Sequence, residues 1–115
     1  MVKYDTQQID RTFYALSDTT RREILFRLTK QDDLTIMEIA KPYEMSLPAV
    51  SKHIKILEEC GMVNRKVDGR VHIISLNTKP MRDAYNWLEY YSRFWETKLG
   101  SLKQYLENKE RDSDE

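Results

Sequence analysis

The feature that most constrains the fold is a capped helix followed directly by a β-hairpin, over residues 46–76. Ser46 is a favourable helix N-cap, and Pro48 falls in the first turn, where a missing N–H costs little. Gly61 ends the helix. Between these positions, apolar residues recur at helical spacing and form one stripe: Val50, Ile54 and Leu57. The pattern predicts a helix over 47–59 that buries one face and keeps the other polar.

The residues after Gly61 predict the hairpin. They are rich in β-branched side chains, and Asp68-Gly69 is typical of a two-residue hairpin turn. We therefore predict paired strands over 62–67 and 70–76. This pairing places two basic side chains near the tip of the hairpin: Arg65 and Arg70.

Two further helices are predicted ahead of this pair of elements. The first covers 6–16, and the second covers 19–30 with Ser17 or Asp18 as its cap. Two arginines lie in the first turn of the second helix, where the helix dipole disfavours cations: Arg21 and Arg22. Such a placement is compatible with contact to an anion, although surface arginines there are commonly neutral.

A short third helix is predicted over 35–41, because Pro42 disfavours helix at the residue before it. The last helix is predicted from Pro80 to Glu107, and its apolar residues occupy two sides. A core of four short helices cannot cover that much apolar surface, so we predict that the last helix packs against another chain, in a contact that the first helix could share. The predicted interface residues are Ile9, Phe13, Leu88, Tyr91, Trp95, Leu99 and Leu102.

Aromatic residues crowd the start of the last helix: Tyr85, Trp87, Tyr90, Tyr91, Phe94 and Trp95. One interpretation is the core of the dimer interface, since aromatic side chains carry much interface burial. The alternative is a small-molecule pocket at that interface, with tyrosine hydroxyls as its polar groups. The sequence identifies no effector, whether small molecule or protein.

Charge is balanced overall but unevenly distributed. The 19 basic and 19 acidic residues give no net charge, so bulk charge argues neither for nor against nucleic acid. Basic residues cluster in the predicted helix and hairpin: Lys52, Lys55, Arg65, Lys66 and Arg70. Such a cluster can bind phosphates, although three nearby acids offset part of it: Glu58, Glu59 and Asp68.

The single cysteine and the lack of long apolar runs indicate a reducing compartment and no membrane span. Cys60 excludes an intrachain disulfide, and a lone thiol is expected to act as a small buried hydrophobe. No apolar run approaches the ~20 residues that a bilayer requires. We expect a cytoplasmic protein with a single domain over 1–109 and an acidic, disordered tail over 110–115.

No catalytic or metal-binding constellation is present in the sequence. His53 and His72 lack the three or four donors of a zinc site. Ser51 lies two positions from His53, and residues two apart on one helix point to different sides. We therefore predict no enzyme activity, no metal and no cofactor.

Two short helices joined by a tight turn and followed by a hairpin are the layout of a winged helix-turn-helix. The predicted fold is thus mainly α with a small β-hairpin and long N- and C-terminal dimerisation helices. The residues predicted to contact base edges are Leu47, Pro48, Ala49, Ser51 and Lys52. Those predicted to contact the DNA backbone are Ser46, Lys55, Arg65, Lys66 and Arg70. His53 either contacts a phosphate or packs beside Val50 and Leu57.

The stretches "ALSDTTRREILFRL" and "IMEIAKPYEMSLPAVSKHIKILEECGMVNRKVDGRVHIISLN" resemble the ArsR-type bacterial transcription repressors. The closing "WLEYYSRFWETKLGSLKQYLE" is similar to a branch of that family without an obvious metal site. The resemblance implies a homodimeric DNA-binding protein with its interface on the first and last helices and its recognition helix over 47–59.

Two departures from the family pattern bear on function. Thr19 follows Asp18 where the family often has proline, which alters the cap slightly. The third helix reads "LTIMEIA" where metal-sensing members carry paired cysteines, and the last helix contains no histidine. The family's metal sensing therefore does not carry over. We predict a sequence-specific repressor of a palindromic operator, or alternatively a winged-helix module that recognises, or is titrated by, a protein partner.

Overall fold

The computed structural model describes residues 6–113, which form five helices and three strands in that range. In chain order these are α1 Thr6–Leu16, α2 Thr19–Lys30, β1 Leu34–Thr35, α3 Ile36–Ala40, α4 Leu47–Glu59, β2 Val63–Asp68, β3 Val71–Leu76 and α5 Thr78–Ser113. The prediction of a mainly helical chain with a small β element is confirmed. The chain divides after Ala84 into two compact units, and the second contains only the remainder of α5.

Three helices have the bounds predicted from the sequence: α1, α2 and α4. The third helix, α3, is shorter than expected and begins after Thr35, whose hydroxyl accepts from the Glu38 N–H in a capping box. The last helix begins two residues early, because the Asn77 side chain accepts from the Lys79 N–H at 3.4 Å. At its other end α5 continues to Ser113, so the acidic segment predicted as a disordered tail is helical up to that residue, and 114–115 lie outside the described residues.

The β structure is a three-stranded antiparallel sheet in the order β1-β3-β2, not the isolated hairpin that we predicted. Asp68 pairs with Val71, so the two-residue turn is Gly69-Arg70. Gly69 has φ +63°, and a turn that needs a positive φ only at its first central residue is type II′. Asp68 therefore stays in the ladder, and the predicted strand bounds are wrong by one residue.

The corrected register also moves one predicted site residue. Arg65 pairs with Ile74, the fourth residue pair back from the turn, and does not lie near the hairpin tip. Arg70 is part of the turn itself.

The core lies between α2, α3, α4 and the sheet. Its largest fully buried apolar side chains are Ile24, Leu28, Ile39, Val50, Ile54, Leu57, Met62 and Ile74. The predicted apolar stripe of α4 is thus confirmed, and so is the burial of Cys60. Burial also raises the pKa of the Cys60 thiol, which keeps it protonated and weakly nucleophilic.

The C-terminal end of α4 closes with a complete Schellman motif. Gly61 takes φ +77°, and its N–H donates to the Glu58 carbonyl at 3.0 Å. The Met62 N–H donates to the Leu57 carbonyl at 2.9 Å. The positive φ at Gly61 turns the chain from the recognition helix directly into β2.

The two arginines in the first turn of α2 bind the C-terminal carbonyls of α1, so their position does not signal contact with an external anion. Arg21 is only 6% exposed, and its guanidinium donates to the Ala15 and Tyr14 carbonyls at 2.9 and 3.0 Å. Arg22 donates to the Leu16 carbonyl at 2.6 Å. The placement that is unfavourable for the dipole of α2 is favourable for that of α1.

A third arginine of α2 performs the same role for α3. The Arg27 guanidinium donates to the carbonyls of Ile39 and Glu38 at 2.6 and 2.9 Å. The C-terminal carbonyls of the short helix before α4 are therefore satisfied from α2.

Arg21→Met should lower the free energy of unfolding by about 2–4 kcal/mol, because the apolar side chain leaves two partly buried carbonyls without their charged donor. The matched control is Arg22→Met, at an exposed neighbour with one carbonyl contact, which should cost at most about 1 kcal/mol. Urea unfolding of both variants measures the difference. Equal losses would contradict the central role of Arg21.

Candidate nucleic-acid interface

Helix α4 presents three polar or mixed faces around its buried stripe. At 3.6 residues per turn, one face points away from the core and carries Pro48, Lys52, Lys55 and Glu59. A second carries Leu47, Ser51 and Glu58 and lies toward the hairpin. A third carries Ala49 and His53 and lies toward the start of α2.

The outward face of α4 supplies exposed cations without partners. Lys52 and Lys55 are exposed, and neither forms an ion pair within residues 6–113. Ser46 caps the helix by accepting from the Ala49 N–H at 3.3 Å. The face therefore combines two free cations with the positive end of a helix dipole, which favours an anionic partner.

The hairpin adds two further exposed cations. Arg70 lies in the turn and Lys66 on β2, and within the described chain neither has a salt-bridge partner. Lys66 points to the opposite side of the sheet from Arg65, because side chains alternate along a strand and Arg65 packs against α4.

Arg65 is tied to the protein and is partly buried. Its Nε donates to the Glu58 carboxylate at 3.2 Å, and its Nη1 lies 3.1 Å from Nδ1 of His72. A guanidinium can only donate, so Nδ1 of His72 accepts and the imidazole proton lies on Nε2. This chain of three side chains connects α4 to β2 and β3.

His53 faces α2 rather than the outward face of α4. Its Nδ1 lies 3.7 Å from the Asp18 carboxylate and is buried without a hydrogen-bond partner among the described residues. Asp18 is the N-cap of α2 and accepts from the Arg21 N–H at 3.1 Å. That hydrogen bond, aided by the charges of His53 and Arg21, lowers the pKa of the Asp18 carboxyl.

The pairings of Arg65 and His53 were missed in the sequence because they join separate elements. Sequence spacing shows which residues share a helix face, but not which side chain of another element faces them. The signal that was available is the hairpin register. Once Arg65 pairs with Ile74, it must point to the buried side of the sheet, toward α4.

The predicted dimer residues divide between buried and exposed positions. Ile9 is buried within its own chain, whereas Phe13 is partly exposed. In the unit formed by the later part of α5, the predicted residues are between 42% and 57% exposed: Leu88, Tyr91, Trp95, Leu99 and Leu102. These side chains lie on one stripe of α5, and Tyr90 and Phe94 are exposed on a second side.

Residues 6–113 contain neither a metal-site nor a membrane-span signature. No three His, Cys, Asp or Glu side chains converge there as a metal ion would require. None of the helices in that range combines the length and apolar character of a bilayer crossing.

The tight α3–α4 pair, the outward cationic face of α4 and the hairpin beside it define a winged helix-turn-helix DNA-binding protein. The family model described as "Bacterial regulatory protein, arsR family" matches residues 18–65. The chain is 36% identical to the transcriptional repressor SdpR of Bacillus subtilis over 80 residues, which are 70% of this chain and 88% of that protein.

Two further similarities extend over more of the chain. The HTH-type transcriptional regulator Rv2034 of Mycobacterium tuberculosis is 31% identical over 104 residues, 90% of this chain and 94% of that protein. A crystal structure of an ArsR family transcriptional regulator, at 36% identity, has a TM-score of 0.75 and covers 84% of this chain and 97% of that one. The chain therefore belongs to the ArsR family of bacterial regulatory proteins. Membership confirms a DNA-binding transcription regulator rather than an enzyme.

Removing the cap of α2 should produce a pH-dependent loss of stability. Folding lowers the pKa of the Asp18 carboxyl below its unfolded value of about 3.9. The stability that the ionised carboxylate contributes is therefore fully present above that unfolded pKa, and it is lost as the pH falls through the folded pKa. Asp18→Ala should cost about 1 kcal/mol at pH 6, and this difference from the wild type should narrow below pH ~4.

Urea unfolding at pH 6, 5, 4 and 3 measures this difference. Asp10→Ala, which removes an exposed carboxylate that caps no helix, controls for the change in net charge. A difference between wild type and Asp18→Ala that stays constant down to pH 3 would contradict the assignment.

Proposed function

We propose that this chain is a homodimeric cytoplasmic repressor that binds a palindromic operator, with two copies of α4 in successive major grooves. The observation that carries the proposal is the set of unpaired, exposed cations on α4 and the hairpin: Lys52, Lys55, Lys66 and Arg70. Arg70 lines one cavity with Leu47 and Ser51 of the first turns of α4, where backbone N–H groups also favour phosphate. The name of the relative SdpR, a transcriptional repressor, supports the direction of regulation.

The N-terminal half of α4 would read the bases. Lys52 and Pro48 lie on the outward face, and Ser51 lies beside them toward the hairpin. Leu47 and Ala49 flank this row, where they can contact thymine methyl groups. Backbone contact is assigned to Ser46, Lys55, Lys66 and Arg70.

Arg65 and His53 receive positioning roles in this proposal. Arg65 holds the hairpin against α4 through Glu58 at 3.2 Å, so it sets where Arg70 can reach. His53 packs toward the cap of α2 and fixes the rotation of α4 about its axis.

The exposed stripe of α5 supports the homodimer. The apolar positions of this stripe repeat after eleven residues: Leu88, Tyr91 and Trp95 are followed at that spacing by Leu99, Leu102 and Leu106. An eleven-residue repeat keeps an apolar stripe nearly straight along an α-helix, with a slight right-handed drift. A second copy of the same helix offers a matching stripe, and pairing would bury side chains that are half exposed in one chain.

Selection from a random DNA pool at low salt tests DNA recognition and half-site spacing together. We expect an enriched inverted repeat with half-site centres about one helical turn apart, ~10 base pairs. Failure to enrich any motif would overturn the operator proposal and favour a protein partner for the winged helix.

Lys52→Ala should weaken binding to the selected operator by about 1–3 kcal/mol, because a base-edge contact is lost. Binding to random DNA should fall much less. Fluorescence anisotropy titrations with both DNAs measure the two effects, and Lys30→Ala, at an exposed lysine on α2, is the control. Unchanged operator affinity would show that Lys52 does not contact bases.

Arg70→Ala should weaken all DNA sequences alike, since its contact is to phosphate. The slope of log K against log salt should become shallower by about 0.9 for each arginine removed. Titrations over a range of salt concentrations give that slope, with Lys30→Ala again as the control. A wild-type slope in Arg70→Ala would contradict the hairpin contact.

Leu102→Glu should dissociate the homodimer, because it places a carboxylate from each copy in the apolar stripe. We expect the dimer to weaken at least ~10-fold. Thr97→Glu adds the same charge to the opposite face of α5 and should leave the dimer intact. Sedimentation equilibrium measures both masses; equal behaviour of the two variants would place the interface elsewhere.

A further inference from the structure

A cavity of about 340 Å³ lies between the start of α3, the start of α4 and the hairpin. Four apolar side chains form most of its wall: Ile36, Met37, Leu47 and Val71. Its polar groups include Ser51, Arg70 and His72. The volume is within the range of small-molecule sites, about 300–1,000 Å³. An apolar wall with few polar groups is also typical of such sites.

The apolar side chains of this cavity need a partner that DNA phosphates do not provide. Met37 is 68% exposed and Val71 46%, and neither is proposed to contact bases. They lie on the side of the protein proposed to meet a polyanion, where a hydrated phosphate chain gains little from contact with them. A ligand with an apolar body would bury them.

The charged side chain of the cavity determines the sign of the charge that its ligand should carry. Arg70 is the charged side chain among the lining residues, and no carboxylate lines the cavity. His72 adds an N–H donor, because its Nδ1 already accepts from Arg65 and its proton lies on Nε2. A guanidinium and an N–H donor among the lining residues of an apolar cavity are suited to a carboxylate.

We propose that this cavity binds a small amphipathic carboxylate, with its apolar body against Met37, Leu47 and Val71 and its carboxylate on Arg70. The ligand would act as an inducer by direct competition, since Leu47, Ser51 and Arg70 would then be covered. This second part rests on the proposed function, whereas ligand binding itself does not.

Isothermal titration of the full chain without DNA tests the binding step, with decanoate as the probe and decanol as its neutral match. We expect saturable decanoate binding and at least ~10-fold weaker binding of decanol, because decanol cannot use the charge of Arg70. Arg70→Ala should weaken decanoate to the level of decanol. Absence of decanoate binding, or equal affinities for the two probes, would overturn the proposal.

Val71→Phe locates the site, because the larger ring fills the cavity. Val67→Phe adds the same ring at an exposed position of the neighbouring strand outside the cavity lining and serves as the matched control. We expect Val71→Phe to lose decanoate binding at least ~10-fold and Val67→Phe to retain it, with circular dichroism showing that both fold. Equal decanoate affinity in the two variants would place the ligand elsewhere on the chain.

Anisotropy measurements with the selected operator test competition. Decanoate should release DNA from wild type and from Val67→Phe. Whatever DNA affinity Val71→Phe retains should not change when decanoate is added, because decanoate can no longer bind. Decanoate binding without DNA release would overturn competition and leave the cavity assignment standing. If no DNA is bound by any of the three proteins, the operator proposal fails, and the calorimetric result still decides the cavity.

Discussion

The hydrogen bonds from the arginines of α2 to the ends of α1 and α3 hold the DNA-binding unit together. A helix leaves its last carbonyls without intrahelical partners, and α3, with five residues, is too short to be stable alone. Arg27 satisfies the end of α3 and Arg21 the end of α1, so two helices are fixed to α2 by charge as well as by the apolar core. The orientation of α4 depends on α3, because Ile39 of α3 packs in the same core cluster as Val50 and Ile54 of α4.

The internal partners of the basic side chains determine which cations remain available to contact DNA. Arg21, Arg22, Arg27 and Arg65 have partners inside the protein, although the sequence places all four in a basic, polar context. The remaining cations on α4 and the hairpin are unpaired within the described residues. A chain with no net charge can still present a local cationic surface, because its charges are unevenly distributed and these cations are exposed.

Periodicity predicted the bounds of α1, α2 and α4. For α2 and α4 the caps Asp18 and Ser46 added a second signal, because their side chains accept from the first N–H groups of the helix. The strand bounds failed because Asp-Gly allows two hairpin turns, and the choice depends on whether Asp68 can stay paired. β1 could not be predicted, since two residues have no detectable period and their pairing with β3 is long-range. Among the candidate site residues, Lys52 and Arg70 required only local pattern, whereas the partners of Arg65 and His53 depend on the packing of separate elements.

The position of the proposed inducer cavity bears on how such a regulator can switch. Allosteric release needs two global states and a ligand that binds them with different affinity. The cavity between α3, α4 and the hairpin needs neither, because Leu47, Ser51 and Arg70 belong to both its wall and the proposed DNA surface. The side-chain hydrogen bonds that connect Glu58, Arg65 and His72 support this view, because they hold the hairpin against α4. They therefore oppose a release mechanism in which the hairpin moves. A ligand can regulate a rigid DNA-contacting surface by occupying it. The exposed aromatic helix α5 then remains available for pairing with a second copy.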